Sequence, residues 1–299
     1  SLHKKLLSLP DSTLVYPAHG AGSLCGKNLS ADTYSTMGVQ RRHNYALQPM
    51  SRGRFVSLVS REQPPAPSYF SHDVRHNMSR RPTLEKILRR GLRALPAGRF
   101  LAAAKKAQVL DTRDAADFEG GHLCGAVNVG LSGRFAAWAG AVLDLRRPIL
   151  LICDPGTEKE AALRLGRIGL DNLTGYLKGG MLSLQDRPGK ITRTERMTAT
   201  AVSERLKGRR RPLVLDVRAP GEWASARIAG SLNIPLDRLA ARAGELPASR
   251  PVVVHCQGGY RSAVAAGLLE RAGIKRVSDM VGGIAAWQAA GLPTLGQKT

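Results

Sequence analysis

Cys256 is the side chain best placed to do chemistry. It lies in the run His255-Cys256-Gln257-Gly258-Gly259-Tyr260-Arg261-Ser262. The short apolar stretch Pro251-Val252-Val253-Val254 precedes it, and the helical apolar pattern Ser262-Ala263-Val264-Ala265-Ala266-Gly267-Leu268-Leu269 follows. A cysteine on a tight loop between a strand and a helix start meets several backbone N–H groups and the positive end of the helix dipole. Both favour a thiolate, which is the nucleophilic form. Gly258 and Gly259 let the backbone from Gln257 to Ser262 curl around an anion. Arg261 adds a fixed cation whose planar fork suits oxyanions. A lone buried thiol would read as packing; the glycines, the arginine and the strand–helix setting favour a reactive one.

An internal repeat supplies the elements that must hold this loop. Val109-Leu110-Asp111-Thr112-Arg113 recurs as Val214-Leu215-Asp216-Val217-Arg218. The match continues: Phe118 falls on Trp223, Leu123 on Ile228, Gly125 on Gly230, Asn128 on Asn233, Cys153 on Cys256 and Gly179-Gly180 on Gly282-Gly283. Two copies of one fold, each of roughly a hundred residues, account for this. In the second copy the pattern predicts helix 198–207, strand 213–217, a helix or turn at 220–226, strand 231–234, helix 239–243, strand 252–255, helix 262–272 and strand 277–280. This alternation predicts an α/β fold, a parallel sheet with helices on both faces. Sites in such sheets lie beyond the carboxyl ends of strands, where Cys256 falls.

Composition narrows the class. The 299 residues suffice for two domains or three small ones, and 43% hydrophobic content fits packed cores. No apolar run reaches the roughly eighteen residues of a membrane span, and no leader pattern opens the chain. The chain starts at Ser1 in mid-pattern, which reads as a fragment. Cys25, Cys124, Cys153 and Cys256 are far apart without CxxC spacing, which argues against a zinc knuckle or disulfide framework and for a reducing cytoplasm. The formal net charge is +22, but the basic clusters are dispersed and aromatics make up only 5%. Without an aromatic stacking platform the charge reads as solvated surface arginine, so no nucleic-acid partner is expected.

The second copy resembles a rhodanese domain. Asp216-Val217-Arg218, Glu222-Trp223 and Ile228-Ala229-Gly230-Ser231-Leu232-Asn233-Ile234-Pro235 resemble that family's first signature. The Cys256 run resembles its active loop. Gly282-Gly283-Ile284-Ala285-Ala286-Trp287 with Gly291-Leu292-Pro293 resembles its closing signature. One departure is Ala226-Arg227-Ile228, where the family often has Gly-His-Ile. The resemblance implies a sulfurtransferase. Cys256 would take the outer sulfur of a donor as a persulfide and pass it to a thiol or cyanide. The amides of Gln257, Gly258, Gly259, Tyr260 and Ser262 would cradle that persulfide, Arg261 would hold an anionic donor such as thiosulfate, and the Ser262 hydroxyl would bond the sulfur. Asp216 and Arg218 read as a structural ion pair. The first copy keeps the fold signature in Asp111-Thr112-Arg113, Phe118 and Gly121-His122-Leu123, but its loop is Cys153-Asp154-Pro155-Gly156-Thr157-Glu158. Glu158 replaces Arg261, Asp154 adds another negative charge and Pro155 removes a donor, so Cys153 reads as inert. His122 and Cys124 read as structural.

Tyr16-Pro17-Ala18-His19-Gly20 resembles the last metal-ligand motif of the metallo-β-lactamase fold. The order thus becomes 1–80, the C-terminal remnant of a metallo-β-lactamase αββα domain; 82–192, a degenerate rhodanese-like domain; and 194–299, an active one. The resemblance implies a bacterial fusion of persulfide dioxygenase–sulfurtransferase type, devoted to sulfide or persulfide oxidation. The paired-histidine motif of the first ligands is absent. His19 is then a metal ligand without partners in this chain, no cofactor is expected here, and iron or zinc would belong to the complete parent. Cys25 reads as packing, or as a second sulfur-carrying thiol. The run Pro64-Pro65-Ala66-Pro67 reads as a strap. Unpaired strand edges in an incomplete first segment would invite association between copies. Two other functions stay open: a rhodanese-fold phosphatase or arsenate reductase, although Cys-x4-Arg is one residue short of the phosphatase loop, and a non-catalytic interaction module.

Overall fold

The computed structural model describes residues 2–18, 32–61, 69–80, 82–247 and 249–296. The chain divides into two compact units, Ser1–Ala66 and Pro67–Thr299. The division falls inside the proline run read as a strap. Residues 69–80, assigned above to the first segment, pack with the second unit: the Tyr69 ring fills the space that a side chain on Gly140 would need. His76 Nε2 lies 3.0 Å from Asp171 Oδ2.

In the first unit β1 (Leu14–Val15) pairs antiparallel with β2 (Ser35–Thr36). The helix Met37–His43 follows, its Val39 N–H donating to the Thr36 side chain, and Ser51 caps the helix Arg52–Ser60 in the same way by accepting from Arg54 N–H. His19 and Cys25 lie outside the described residues.

The second unit holds two five-stranded sheets with every pairing parallel. The strands of the first copy are β3 (Ala94–Leu95), β4 (Gln108–Asp111), β5 (His122–Leu123), β6 (Val127–Asn128), β7 (Ile149–Ile152) and β8 (Leu173–Leu177). Its sheet order is β3-β8-β7-β4-β6. β9 (Ile191–Thr192) pairs antiparallel with β5 and ties the connection between the copies back onto the first. The second copy follows with β10 (Glu195–Met197), β11 (Leu213–Asp216), β12 (Leu232–Asn233), β13 (Val252–His255) and β14 (Val277–Met280), in the order β10-β14-β13-β11-β12. The two orders correspond strand for strand, as the sequence repeat requires. Val252–His255 and Val277–Met280 match the expected strands. The edge strand β10, too short and polar for a periodicity signal, went unforeseen.

The inner strands carry β-branched and leucine side chains and are buried throughout, as strands covered by helices on both faces must be. One apolar core runs through both copies, from Leu110, Leu151 and Phe135 to Val254, Val264 and Leu268. The helix Tyr260–Arg271 lies within it, buried from Ser262 to Leu269, which explains a helix apolar on all sides. Gly267 lets this helix touch the first copy: a Cβ there would stand 3.0 Å from the Ala126 carbonyl. Glu270 of the same helix accepts from Thr194 Oγ1 at 2.9 Å and meets His122 Nε2 at 2.8 Å. His122 is thus structural, stacked on Phe118 at 3.8 Å between ring centres. Among the described residues no helix is long and apolar enough to cross a membrane.

Candidate active site

Cys256 follows the last residue of β13 at the carboxyl edge of the sheet, and its side chain is buried. The four-residue interval to Tyr260 starts the helix directly behind the sulfur. Gly259 occupies the cap position at φ +110°, a conformation that other residues rarely adopt. Its N–H donates to Cys256 Sγ at 3.1 Å. The Ser262 hydroxyl lies 3.7 Å from Sγ and donates to the Gly259 carbonyl at 3.0 Å. The loop is held from below by the next strand–helix turn, where Ile284 N–H donates to the Cys256 carbonyl at 2.9 Å and Ala285 N–H to the Gln257 carbonyl at 3.1 Å. Gly283 makes this approach possible, since a Cβ there would lie 2.3 Å from the Cys256 carbonyl oxygen.

Arg261 stands at the cavity, and both its terminal nitrogens donate to the Glu222 carboxylate at 2.8 Å each. That bidentate pair holds the Glu222 carboxyl below the usual carboxylate range and raises Arg261. Glu222 also accepts from the Ala219 N–H at 3.0 Å, so the start of the helix Pro220–Ser225 and the active loop share one carboxylate. Sequence reasoning placed Glu222 in a family signature without seeing this partnership. Asp216 and Arg218 form the expected buried ion pair, at 2.6 Å, and Arg218 also donates to the Ala226 carbonyl. Burial drives His255 below the usual imidazole range, and its Nδ1 lies 3.2 Å from the Cys256 carbonyl oxygen.

A cavity of about 510 Å³ opens over Cys256. Gln257, Gly258, Tyr260, Arg261 and Glu222 line it, together with Arg134 and Trp138 of the first copy. The degenerate copy thus walls the site. Sequence reasoning missed both residues, because nothing local distinguishes them from surface side chains. Tyr260 is the hinge of this arrangement: its hydroxyl donates to the Gly130 carbonyl at 2.7 Å, clamping the active loop to the first copy.

In the first copy Cys153 occupies the corresponding strand end, also buried. Burial above all, with the charges of Glu158, Asp111 and Asp154, pushes its thiol up to about 12. The Gly156 N–H, counterpart of the Gly259 N–H, donates to the Glu158 carboxylate at 2.9 Å. Among the described residues no group of three or more His, Cys, Asp or Glu side chains is arranged to hold a metal ion.

The Rhodanese-like domain family matches residues 99–187 and 198–290. The chain belongs to that family. The two matches together span more than half of it and cover the two sheets except for their edge strands β3 and β10. A sulfurtransferase of Allochromatium vinosum is 38% identical over 93 residues, 31% of this chain and 87% of the relative. The chloroplastic thiosulfate sulfurtransferase 16 of Arabidopsis thaliana is 35% identical over 95 residues, 27% of this chain and 77% of the relative. The crystal structure of a metallo-beta-lactamase from Staphylococcus aureus is similar over 58% of this chain and 47% of that chain, with 26% identity and a TM-score of 0.44. The tandem rhodanese-like domains and the sulfurtransferase relatives support sulfur transfer as the general activity.

Proposed function

We propose that this rhodanese-like chain moves sulfane sulfur from thiosulfate or a persulfide to a thiol acceptor through a persulfide on Cys256. The observation that carries the reading is the Gly259 N–H on Cys256 Sγ, at the start of a helix and open to the cavity. In the first step the thiolate attacks the outer sulfur of the donor. The donor's S–S bond breaks, and sulfite, or the donor thiolate, leaves with the electron pair. In the second step an acceptor thiolate attacks the outer sulfur of the Cys256 persulfide, and Cys256 leaves as thiolate. The loop amides stabilise the anionic sulfur in both states. Arg134 and Arg261 face the cavity against the single carboxylate of Glu222, an excess of positive charge that suits an anionic donor.

The phosphatase alternative fits less well. Its loop places five residues between cysteine and arginine to enclose a phosphate, whereas four separate Cys256 from Arg261 here, a smaller cradle. The same reading gives the first unit to a metallo-β-lactamase-like segment of a sulfide- or persulfide-oxidising parent, without metal chemistry of its own, since the sequence lacks the paired histidines that such a site requires. Intact-mass measurement after thiosulfate treatment tests the central claim. One added sulfur mapping to Cys256, and discharged by a thiol, is expected. No added sulfur, or sulfur on Cys153 instead, overturns it.

A further inference from the structure

The two edges of the second sheet treat their arginines differently. At the carboxyl edge Arg218 is paired with Asp216 and Arg261 with Glu222. The amino edge lies one four-residue strand away, about 13 Å. There β11, β13 and β14, neighbours in the sheet, are entered through Arg209-Arg210-Arg211-Pro212, Ser249-Arg250-Pro251 and Lys275-Arg276. Every cation in these segments is exposed, and none of the segments contains an acidic residue. Backbone bonds tie the entries together: Leu213 N–H donates to the Pro251 carbonyl and Val252 N–H to the Arg276 carbonyl, both at 2.8 Å. The Arg250 guanidinium donates to the Arg211 and Pro212 carbonyls at 2.9 and 3.1 Å, and that of Arg276 to the Ser249 carbonyl. Such bonds hold the two cations in place without neutralising them. Glu204 and Glu245, nearby in the chain, are engaged by Lys207 and Arg242.

The first copy adds charge on the same side. The active helix starts at Gly130, beyond the end of β6, where Tyr260 is bonded. It passes Ala126 and Val127 at Gly267 and meets His122 at Glu270. It therefore runs antiparallel to β6, as it does to the parallel strands β13 and β14 that it connects, and the amino edges of both sheets face one way. The entries to β4 and β7 on that side carry Lys105-Lys106 and Arg146-Arg147, all exposed. Clusters dispersed in the sequence thus gather on one side of the second unit, away from the Cys256 cavity. Like charges so gathered repel one another, a cost that a polyanion removes.

We propose that this amino edge binds the phosphate backbone of a nucleic-acid duplex, without reading its sequence, and leaves the Cys256 cavity facing away. Three adjacent strands spread their entries over roughly 10 Å, a span in which a duplex carries about six charges. All but Lys275 of the cations on β11, β13 and β14 are arginines, whose planar fork fits phosphate oxygens. None of the large exposed apolar side chains among the described residues belongs to these segments. The edge therefore lacks the apolar anchors of a membrane-surface element and the aromatic platform on which single strands stack. Backbone recognition of a duplex needs neither.

The test is fluorescence anisotropy of a labelled, mixed-sequence DNA duplex titrated with the full chain between about 50 mM and about 200 mM salt. Binding should weaken with salt along a log–log slope of about −4 to −5, the release expected for about five phosphate contacts. The combined variant Arg209→Ala, Arg210→Ala, Arg211→Ala should make that slope shallower by about 3 and weaken binding on the order of tenfold or more. A control removes the same charge at the carboxyl edge, through Lys159→Ala, Lys178→Ala and Arg238→Ala, and should bind as wild type does. Equal losses in the two variants would show net charge alone at work and overturn the proposal. Tighter binding to the single strand, or to phosphatidylserine vesicles, than to the duplex would also overturn it. Iodoacetamide alkylation of Cys256, followed by peptide mass spectrometry, should keep its rate under saturating duplex. Protection of Cys256 would put the polyanion on the cavity arginines instead and sink the placement. None of these readings depends on sulfur transfer, so the proposed function stands or falls separately.

Discussion

The two copies set the same strand, turn and helix around a cysteine and reach opposite electrostatic outcomes. In the second copy the residue five places beyond the cysteine is Arg261, tied to Glu222 on a neighbouring helix, and the loop amide of Gly259 points at sulfur. In the first it is Glu158, whose carboxylate accepts from the Gly156 amide, the counterpart of the Gly259 amide. Burial is similar at the two thiols; the difference lies in what the loop offers a negative charge. The lesson is that a rhodanese-like fold holds its cysteine through buried strands and a glycine-dependent carbonyl cradle, while reactivity depends on a few loop donors and one cation. The degenerate copy is not idle, since it contributes Arg134, Trp138 and the Gly130 anchor to its twin.

The sharpest way to break this comparison is to remove each thiol in turn. Cys256→Ser should abolish thiocyanate formation from thiosulfate and cyanide, because the corresponding Cys153 loop sets Glu158 where the active loop has Arg261. Cys153→Ser should leave it unchanged within error. Full activity in Cys256→Ser would sink the assignment.

The cradles differ in tightness, and paired alanine substitutions measure this. At Gly283 a methyl would lie 2.3 Å from the Cys256 carbonyl oxygen at φ +58°, whereas at Gly180 it would lie 3.1 Å from the Cys153 carbonyl oxygen at the same φ. Gly283→Ala should cost about 2–4 kcal/mol and displace the loop, whereas Gly180→Ala should cost about 1–2 kcal/mol. Urea unfolding of both variants gives the comparison, and equal midpoints would show that the two loops are supported alike.

The cation that separates the copies has its own test. Arg261→Lys keeps the charge but loses the forked contact with Glu222. It should lower kcat/KM on the order of tenfold for thiosulfate and only about threefold for a neutral persulfide donor. Equal losses would assign Arg261 to loop support alone.

The smallest effect concerns the clamp. Tyr260→Phe removes the hydroxyl that joins the active loop to the first copy. It should cost about 1 kcal/mol in urea unfolding and lower kcat/KM no more than about threefold. A larger kinetic loss would show that the first copy controls loop geometry as well as supporting it.

Much of this was legible in the residues alone. Alternating strand and helix patterns located most elements of the second copy within a few residues, because periodicity reports directly which face is buried. The repeat from Val109 to Gly180 announced two copies. Cys256, its glycines and Arg261 declared an anion-binding thiolate loop, and Glu158 with Asp154 declared its failure in the first copy. These signals are local: each follows from neighbours in the chain and from the chemistry of single side chains. Tertiary structure alone decided that Arg261 would bind Glu222, that Arg134 and Trp138 would wall the neighbouring copy's cavity, that Tyr260 would reach Gly130, and that Glu119 would meet Arg196. Each of these pairs joins residues far apart in sequence, brought together by one core that passes through both sheets. No periodicity marks such a meeting, because its energy comes from the desolvation that packing imposes on both partners at once.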